Sequence, residues 1–188
     1  MIIGITGTIG AGKGAVVEYL IKKKGFAHYS CSGLLKEILE ERGEIVDRDG
    51  YSRIAKELRA KDSSGVPGLA YARAQNEGAR DSIIEALHSV GEAEFIKSVG
   101  GIVFGVDANI DVRYRRISTR GSEKDNVSYE KFIEQSKRED EGGSDASGHN
   151  IRGAIKIADY VITNNGTLEE LHAQIEEVLR KIEATPLS

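Results

Sequence analysis

Short apolar runs alternate with amphipathic segments along the whole chain. Five of the runs are bounded by glycine or polar positions, and the clearest are rich in β-branched residues, as is typical of buried strands. They span residues 2–6, 26–30, 81–87, 100–108 and 159–163. Because helical segments separate these strands, the pattern predicts an α/β fold in which helices cover both faces of a five-stranded parallel sheet.

The segments between the strands carry apolar residues at helical spacing. Ser32 is a candidate N-cap, and Thr167 and Glu170 have the spacing of a capping box at the start of the last helix, where Leu168 joins the apolar stripe. The predicted helices span 15–25, 32–43, 112–120, 129–141 and 167–184, with a polar helical stretch at 50–80 that breaks at 63–68. The composition of 141–150 predicts a loop.

Parallel sheets of this kind bind ligands beyond the carboxyl ends of their strands. We therefore expect the functional residues in the segments that follow or flank the strand ends. These segments are 7–14, 30–36, 87–92, 107–120 and 163–167.

Composition limits the classes of function. The 188 residues suit one domain with a single sizeable core, and a net charge of −4 gives no general attraction to nucleic acid or to an anionic membrane. Cys31 is the one cysteine, which excludes an internal disulfide, and the histidines are too scattered to suggest a metal cluster. No apolar run approaches the ~18 residues of a membrane span, and the N-terminus lacks the basic region of a signal peptide. We expect a cytoplasmic protein; the sequence does not indicate its oligomeric state.

The segment GTIGAGKG, at 7–14, matches the phosphate-binding pattern G-x-x-x-x-G-K between a predicted strand and a predicted helix. Glycines let several backbone N–H groups approach a phosphate chain, and the helix N-terminus adds partial positive charge. Lys13 then reaches the β- and γ-phosphates. A plain tight turn would not require this lysine, and the glycine spacing does not fit a dinucleotide-binding loop. The predicted nucleotide-binding residues here are Gly7, Thr8, Gly10, Ala11, Gly12, Lys13, Gly14 and Ala15.

One feature departs from the usual pattern. A serine or threonine commonly follows the lysine and ligates Mg²⁺, whereas this chain has Gly14 and Ala15. The sequence therefore predicts that any magnesium is held through the phosphates, water and an acid at a strand end, with no dedicated metal ligands.

The chain resembles the P-loop nucleoside and nucleotide kinases, near adenylate kinase and dephospho-coenzyme A kinase. The resemblance rests on GAGKG, on YSCSGLLKEI at 29–38, on VDANIDVRYRRISTR at 106–120 and on IADYVITNNGTLEEL at 157–171. It implies a three-layer sandwich of P-loop kinase type, with a helical lid region at 112–150 and a helical acceptor-binding insert at 36–80 within one domain, 1–188. It also implies ATP and Mg²⁺ as cofactors.

Particular roles follow from the same resemblance. Ser32 and Lys36 occupy positions that bind the acceptor, although these kinases have arginine at the second of them. Arg116 and Arg120 match an R-x-x-x-R pair that closes on the nucleotide, and Arg113 belongs to the same segment. The loop after the last strand borders the adenine, which implies roles for Asn165 and Gly166. In dephospho-coenzyme A kinases an aspartate usually stands at the Ser32 position, so its absence counts against that substrate.

Four further residues are candidates whose roles the sequence leaves open. Glu85, inside the third strand, either orients magnesium-bound water, contacts the acceptor or forms an ion pair. His88 is either a weaker substitute for an acceptor-binding arginine or an exposed loop residue. Arg59, on the polar insert, is an acceptor contact or a surface charge. Asp107, at the end of the fourth strand, is expected to cap the lid helix.

These observations favour ATP-dependent phosphoryl transfer to a small nucleotide-type acceptor, as in a nucleoside monophosphate kinase. A dephospho-coenzyme A kinase is the alternative within the enzymes, with Glu85 as the candidate base. A nucleotide-binding sensor without turnover is the alternative of another class, favoured by the missing hydroxyl after Lys13. A GTPase is disfavoured because no guanine-selecting N-K-x-D motif is present.

Overall fold

The computed structural model describes residues 1–120, 128–141 and 149–184. The predicted loop at 141–150 and the predicted lid region at 112–150 therefore lie partly outside the described residues. The side chains at 48, 120 and 138–141 also lie outside them, so Arg120 is placed only by its backbone.

Five parallel strands form one sheet, as predicted. The strands are β1 (Ile2–Gly7), β2 (Ala27–Ser30), β3 (Ser82–Leu87), β4 (Ile102–Asp107) and β5 (Tyr160–Thr163), in the order β2-β3-β1-β4-β5. Ile5 of the central strand pairs with Glu85 on one side and with Phe104 on the other. The carboxyl ends of the strands therefore share one edge of the sheet.

Helices cover both faces of this sheet. They are α1 (Lys13–Lys24), α2 (Cys31–Glu41), α3 (Arg48–Lys61), α4 (Gly65–Asn76), α5 (Val90–Ser98), α6 (Ile110–Arg120), α7 (Tyr129–Glu141), α8 (Ile151–Lys156) and α9 (Leu168–Ala184). The sequence did not predict α5 or α8. The polar stretch at 50–80 contains most of α3 and all of α4. The break predicted at 63–68 is shorter than expected, because α4 begins at Gly65.

Two apolar cores lie on opposite faces of the sheet. Ile3 and Ile5 pack with α1 and α9 in one core, whereas Ile84 and Leu87 pack with α2, α3, α4 and α5 in the other. Both sets of side chains are fully buried or nearly so, which explains why the strands read as apolar runs without polar alternation. Within the described residues, no helix is both long enough and apolar enough to cross a bilayer.

The helix caps confirm one prediction and correct another. Glu170 N donates to Thr167 Oγ1 at 3.2 Å and Thr167 N donates to Glu170 Oε2 at 2.9 Å, which is the expected capping box. The N-cap of α2 is Ser30 and not Ser32, because the Ser30 hydroxyl accepts from Gly33 N at 3.2 Å. Leu168 was wrongly placed in the buried stripe of α9; it is 51% exposed.

Candidate active site

The glycine-rich loop between β1 and α1 adopts backbone angles that only glycine takes readily. Gly10 has φ of 78° and Gly12 has φ of 96°, both in the left-handed region. A Cβ atom on Gly12 would lie 2.4 Å from Asn164 Nδ2, and one on Gly10 would lie 2.7 Å from the Arg113 carbonyl oxygen. Both glycines therefore allow the loop to approach the segments after β4 and β5.

Lys13 lies at the first position of α1 with its ammonium group folded back over the loop. Its Nζ donates to the carbonyl oxygens of Gly7 at 2.8 Å and Thr8 at 3.2 Å. The charge is thus held beside backbone groups that frame an anion site at a helix N-terminus. A phosphate chain fits this arrangement, because the loop offers amide N–H groups, an ammonium group and glycine surfaces free of Cβ atoms.

Arg116 of α6 lies against the same loop. Its Nη1 donates to the carbonyl oxygens of Ala11 at 3.2 Å and Asn164 at 2.9 Å, and its Nη2 donates to Asn164 Oδ1 at 3.1 Å. The sequence placed Arg116 at the nucleotide, and the structure brings it to the phosphate-binding loop.

Asn164 is a site residue that sequence reasoning missed. It is 5% exposed, and its Nδ2 donates to the Ala11 carbonyl oxygen at 2.8 Å. Asn164 therefore links the glycine-rich loop and Arg116 to the segment that follows β5. The predicted neighbour Asn165 lies one residue further on, where its Oδ1 accepts from Asn109 N at 2.7 Å. Gly166 follows it, beside the Glu170 carboxylate. The only sequence signal for Asn164 was its place directly after β5.

A cavity of about 480 Å³ opens beside the loop, and we call it the phosphate cleft. Its lining residues come from the loop, from α1, from α6 and from the end of β3. They are Gly10, Gly12, Lys13, Gly14, Ala15, Glu85, Arg116 and Ile117. The cleft therefore combines two cationic side chains with one carboxylate.

A second cavity, of about 310 Å³, lies between β3 and helices α2 and α3. We call it the α2–α3 cavity. Its lining includes the predicted residues Ser32, Arg59, Glu85 and His88. The other lining residues are Ser30, Cys31, Leu35, Tyr51, Ser52, Ala55, Val66, Ala86, Glu92 and His149. Glu85 lines both cavities, so the two adjoin at this residue.

Arg59 is neither a surface charge nor an isolated cation. Its Nε donates to Glu92 Oε1 at 2.7 Å, and the two side chains are 5% and 1% exposed. The other carboxylate oxygen of Glu92 accepts from His88 N at 2.6 Å. Glu92 was missed because nothing in its local sequence distinguishes it from a surface glutamate; its partner lies 33 residues away.

His88 is not the exposed loop residue that one interpretation expected. Its ring stacks on His149 with centroids 4.9 Å apart, and its Nδ1 is shielded from solvent without a hydrogen-bond partner among the described residues. Burial is the main cause that lowers the pKa of His88 to about 3, and the positive charges of His149, Lys13 and Arg59 contribute to the same shift. The imidazole is therefore neutral at physiological pH.

Glu85 contacts a basic residue, His28, as one of its three interpretations expected; the contact is an ion pair only when the imidazole is protonated. Its Oε2 lies 3.0 Å from His28 Nε2, and the two side chains are 21% and 29% exposed. The pair lies at the carboxyl edge of the sheet, where β2 and β3 run side by side. Glu85 is thus held by this contact, and it is one of the residues that line both cavities.

The structure places Lys36 and Asp107 differently from the expectation. Lys36 lies on the exposed face of α2, 3.6 Å from Glu40, and lines neither cavity. Asp107 does not cap α6. Its Oδ1 accepts from Thr8 Oγ1 at 2.7 Å, and its Oδ2 lies 2.6 Å from Arg152 Nη1. The side chain of Arg120 lies outside the described residues.

The metal environment is sparse. A Cβ on Gly14 would meet nothing within 4 Å, so the usual serine or threonine would fit at this position. Glycine, however, has no hydroxyl group to ligate a metal. Among the described residues, Glu85 is the one carboxylate that lines the phosphate cleft, and no group of three acidic, histidine or cysteine side chains could hold a metal by itself. These residues fit a magnesium ion carried on nucleotide phosphates, and Glu85 is the carboxylate of the described cleft lining that would be available to hold it through water.

Cys31 is a packing residue. Its side chain is buried in the core beneath α2, and burial is the main cause that raises the pKa of its thiol far above the usual range. A thiol in this state is a poor nucleophile.

Similarity to known proteins covers nearly the whole chain. The family AAA_18, described as AAA domain, matches residues 3–142. A UPF0200 protein of Methanococcus vannielii is 26% identical over 185 residues, which cover 96% of this chain and 96% of that protein. The crystal structure of TT1252 from Thermus thermophilus has a TM-score of 0.63 at 24% identity and covers 99% of this chain and 98% of its own. Shikimate kinase from Bacteroides thetaiotaomicron has a TM-score of 0.56 at 15% identity and covers 97% of this chain and 98% of its own.

These likenesses agree with the geometry. The structural neighbours share the parallel sheet and its helices, which confirms the P-loop kinase-like fold expected from the sequence. By its match over residues 3–142, and with a glycine-rich phosphate loop between its first strand and first helix, the chain belongs to the AAA domain family AAA_18.

Proposed function

We propose that this protein transfers the γ-phosphoryl group of ATP to a small nucleotide-type acceptor. The observation that carries the proposal is the position of Glu85, which lines both the phosphate cleft and the α2–α3 cavity. Transfer between two bound molecules requires adjoining pockets, one for the donor phosphates and one for the acceptor. A protein that only binds a nucleotide does not need the second pocket.

The donor side needs alignment and positive charge around the transferred group, with little covalent chemistry from the protein. The loop amides and Lys13 hold the β- and γ-phosphates in this proposal. Arg116, tethered by Asn164 beside the loop, supplies the second cation. Arg120 is the remaining candidate from the sequence and stays a prediction, as do the contacts of Asn165 and Gly166 with adenine.

Dephospho-coenzyme A kinase activity is the second candidate. There the acceptor is a hydroxyl group, which needs a base, and Ser32 stands where an aspartate is expected. Glu85 supports this candidate because it is a carboxylate at the junction of the two cavities. With a nucleoside monophosphate, in contrast, a phosphate oxygen attacks and no strong base is required.

The test is acceptor-dependent formation of ADP from ATP and Mg²⁺, with nucleoside monophosphates and dephospho-coenzyme A as acceptors. We expect ADP formation with at least one acceptor, and its loss in Lys13→Ala. Lys22→Ala is the matched control, since Lys22 lies on the exposed side of the same helix, paired with Glu18. ATP binding without acceptor-dependent ADP would contradict the proposal and support a sensor without turnover.

A further inference from the structure

The charges of the α2–α3 cavity indicate what kind of group it accepts. Its described lining contains one guanidinium group, that of Arg59, and two carboxylates, those of Glu85 and Glu92. The guanidinium is paired with Glu92 at 2.7 Å in a buried contact. The described lining therefore has no further lysine or arginine to balance an added anion, and Glu85 adds one negative charge beside it.

The histidines supply no guanidinium or ammonium group. His88 is neutral at physiological pH, because burial and the charges of His149, Lys13 and Arg59 lower its pKa to about 3. Its ring stacks on that of His149, with the centroids 4.9 Å apart. Two cations that could have served an acceptor phosphate are instead on the surface, where Lys36 pairs with Glu40 and Arg53 pairs with Glu44.

The remaining polar lining consists largely of hydroxyl groups. Ser30 and Ser32 lie with their Oγ atoms 2.9 Å apart, and Ser52 and Tyr51 line the same cavity. Hydroxyl groups donate and accept hydrogen bonds without adding charge. They suit an uncharged polar ligand, whereas a phosphate dianion that loses water needs a charged partner in return.

We propose that the acceptor presents an uncharged hydroxyl group to Glu85, and that the part of it within the α2–α3 cavity carries no phosphate. This inference rests on the proposed phosphoryl transfer and specifies its substrate class. The acceptor oxygen forms a bond to the γ-phosphorus of ATP, the bond from that phosphorus to the β,γ-bridging oxygen breaks, and ADP leaves with the bond electrons. The hydroxyl proton passes to the Glu85 carboxylate and then to water. The product is a phosphate monoester.

In the first test, the protein is titrated with inorganic phosphate, and calorimetry measures the binding. Lys13→Ala is used as the background, so that the phosphate cleft does not dominate the binding. Adding Glu92→Gln leaves Arg59 without its counter-charge and keeps a hydrogen-bond acceptor for His88 N. We expect this change to tighten phosphate binding at least about tenfold, equivalent to ~1.4 kcal/mol. Glu94→Gln, an exposed position on the same helix, should change nothing.

Two results would overturn the inference. One is equally tight phosphate binding by Lys13→Ala and by the double variant Lys13→Ala/Glu92→Gln, because a free cation would then already be present in the cavity. The other is the absence of phosphate binding in both, because pairing of Arg59 with Glu92 would then not be what excludes phosphate. Circular dichroism shows whether the Glu92→Gln variants fold.

The second test needs no identified acceptor and decides the question if Glu92→Gln fails to fold. The wild-type protein is incubated with ATP radiolabelled at the γ-phosphate and a small-molecule extract, and the labelled product is heated in dilute acid. A monoester keeps its label, as we expect, whereas a phosphoanhydride formed on an acceptor phosphate loses it and refutes the inference. Absence of any transfer would contradict the proposed phosphoryl transfer itself, and the titration would still test the cavity.

Discussion

Removing one partner of the buried pair of Arg59 and Glu92 should lower the free energy of unfolding more than removing one partner of an exposed ion pair. Arg59→Met keeps most of the apolar stem and removes the charge. Glu92, only 1% exposed, would keep its hydrogen bond from His88 N and lose its counter-ion 2.7 Å away. Removing one partner of such a pair typically costs about 3–5 kcal/mol, because the other charge stays buried and uncompensated.

The chain supplies a matched control on the same helix. Arg53 also pairs with a glutamate, Glu44, but its side chain is 53% exposed. Exposed pairs contribute about 0–1 kcal/mol, so Arg53→Met should lower the free energy of unfolding by less than ~1 kcal/mol. The two substitutions are chemically identical, and the difference between them isolates the effect of burial.

The assay is urea unfolding followed by circular dichroism, with the midpoint and the slope compared among variants. We expect Arg59→Met to lower the free energy of unfolding by about 3–5 kcal/mol at an unchanged slope. The double variant Arg59→Met/Glu92→Gln should lose less than the sum of the two single losses, by about 0.5–3 kcal/mol. If Arg59→Met costs no more than Arg53→Met, or if the double variant is additive, the pair is not coupled as described.

Three other predictions concern single residues. Gly12→Ala should weaken ATP binding about tenfold or more, as measured by calorimetry. The left-handed backbone at this position costs an alanine ~1–3 kcal/mol, and its Cβ would also clash with Asn164. Unchanged affinity would show that the loop geometry is unimportant. His88 has its pKa lowered from 6.5 to about 3, so the unfolded chain binds its proton first as pH falls. Its contribution to stability is therefore complete above pH 6.5 and is lost toward pH 3, and His88→Asn should flatten this dependence in urea unfolding; identical profiles would contradict the assigned burial. Cys31 should resist alkylation by iodoacetamide in the native state and react in urea, as read by mass spectrometry, because its thiol is buried and its pKa raised; rapid native labelling would contradict that.

Local sequence patterns predicted most of the strands and helices. The apolar runs that became β1, β3 and β4 are buried on both faces, so their hydrophobicity was a direct consequence of their position. Helix α5 was missed because its buried face contains Glu92, whose burial depends on a partner in a different helix. Helix α8 has 6 residues, too few for a helical period to stand out. The cap of α2 was assigned to Ser32 because two serines, both suitable by chemistry, lie two positions apart.

The residues of the site also differ in whether a local sequence pattern could identify them. The phosphate loop is a continuous motif whose geometry is set by its own glycines, and the sequence predicted its place between the first strand and the first helix. Asn164, in contrast, acts through Ala11, a contact across 153 positions. Lys36 was assigned from its place in the chain, but the orientation of α2 against the sheet decides where that side chain points, and it points away from the cavity. Long-range pairing of this kind has no local signature.

The central claim is that Lys13 and the loop backbone hold the triphosphate of a nucleotide. Calorimetric titration of ATP with Mg²⁺ into the wild type, Lys13→Ala and Lys22→Ala tests it directly. Hydrogen bonds to a charged group contribute ~1.5–3 kcal/mol, so we predict that Lys13→Ala weakens ATP binding about 10- to 150-fold and that Lys22→Ala leaves it unchanged. Equal affinity of the wild type and Lys13→Ala, in protein shown to be folded, would contradict the account.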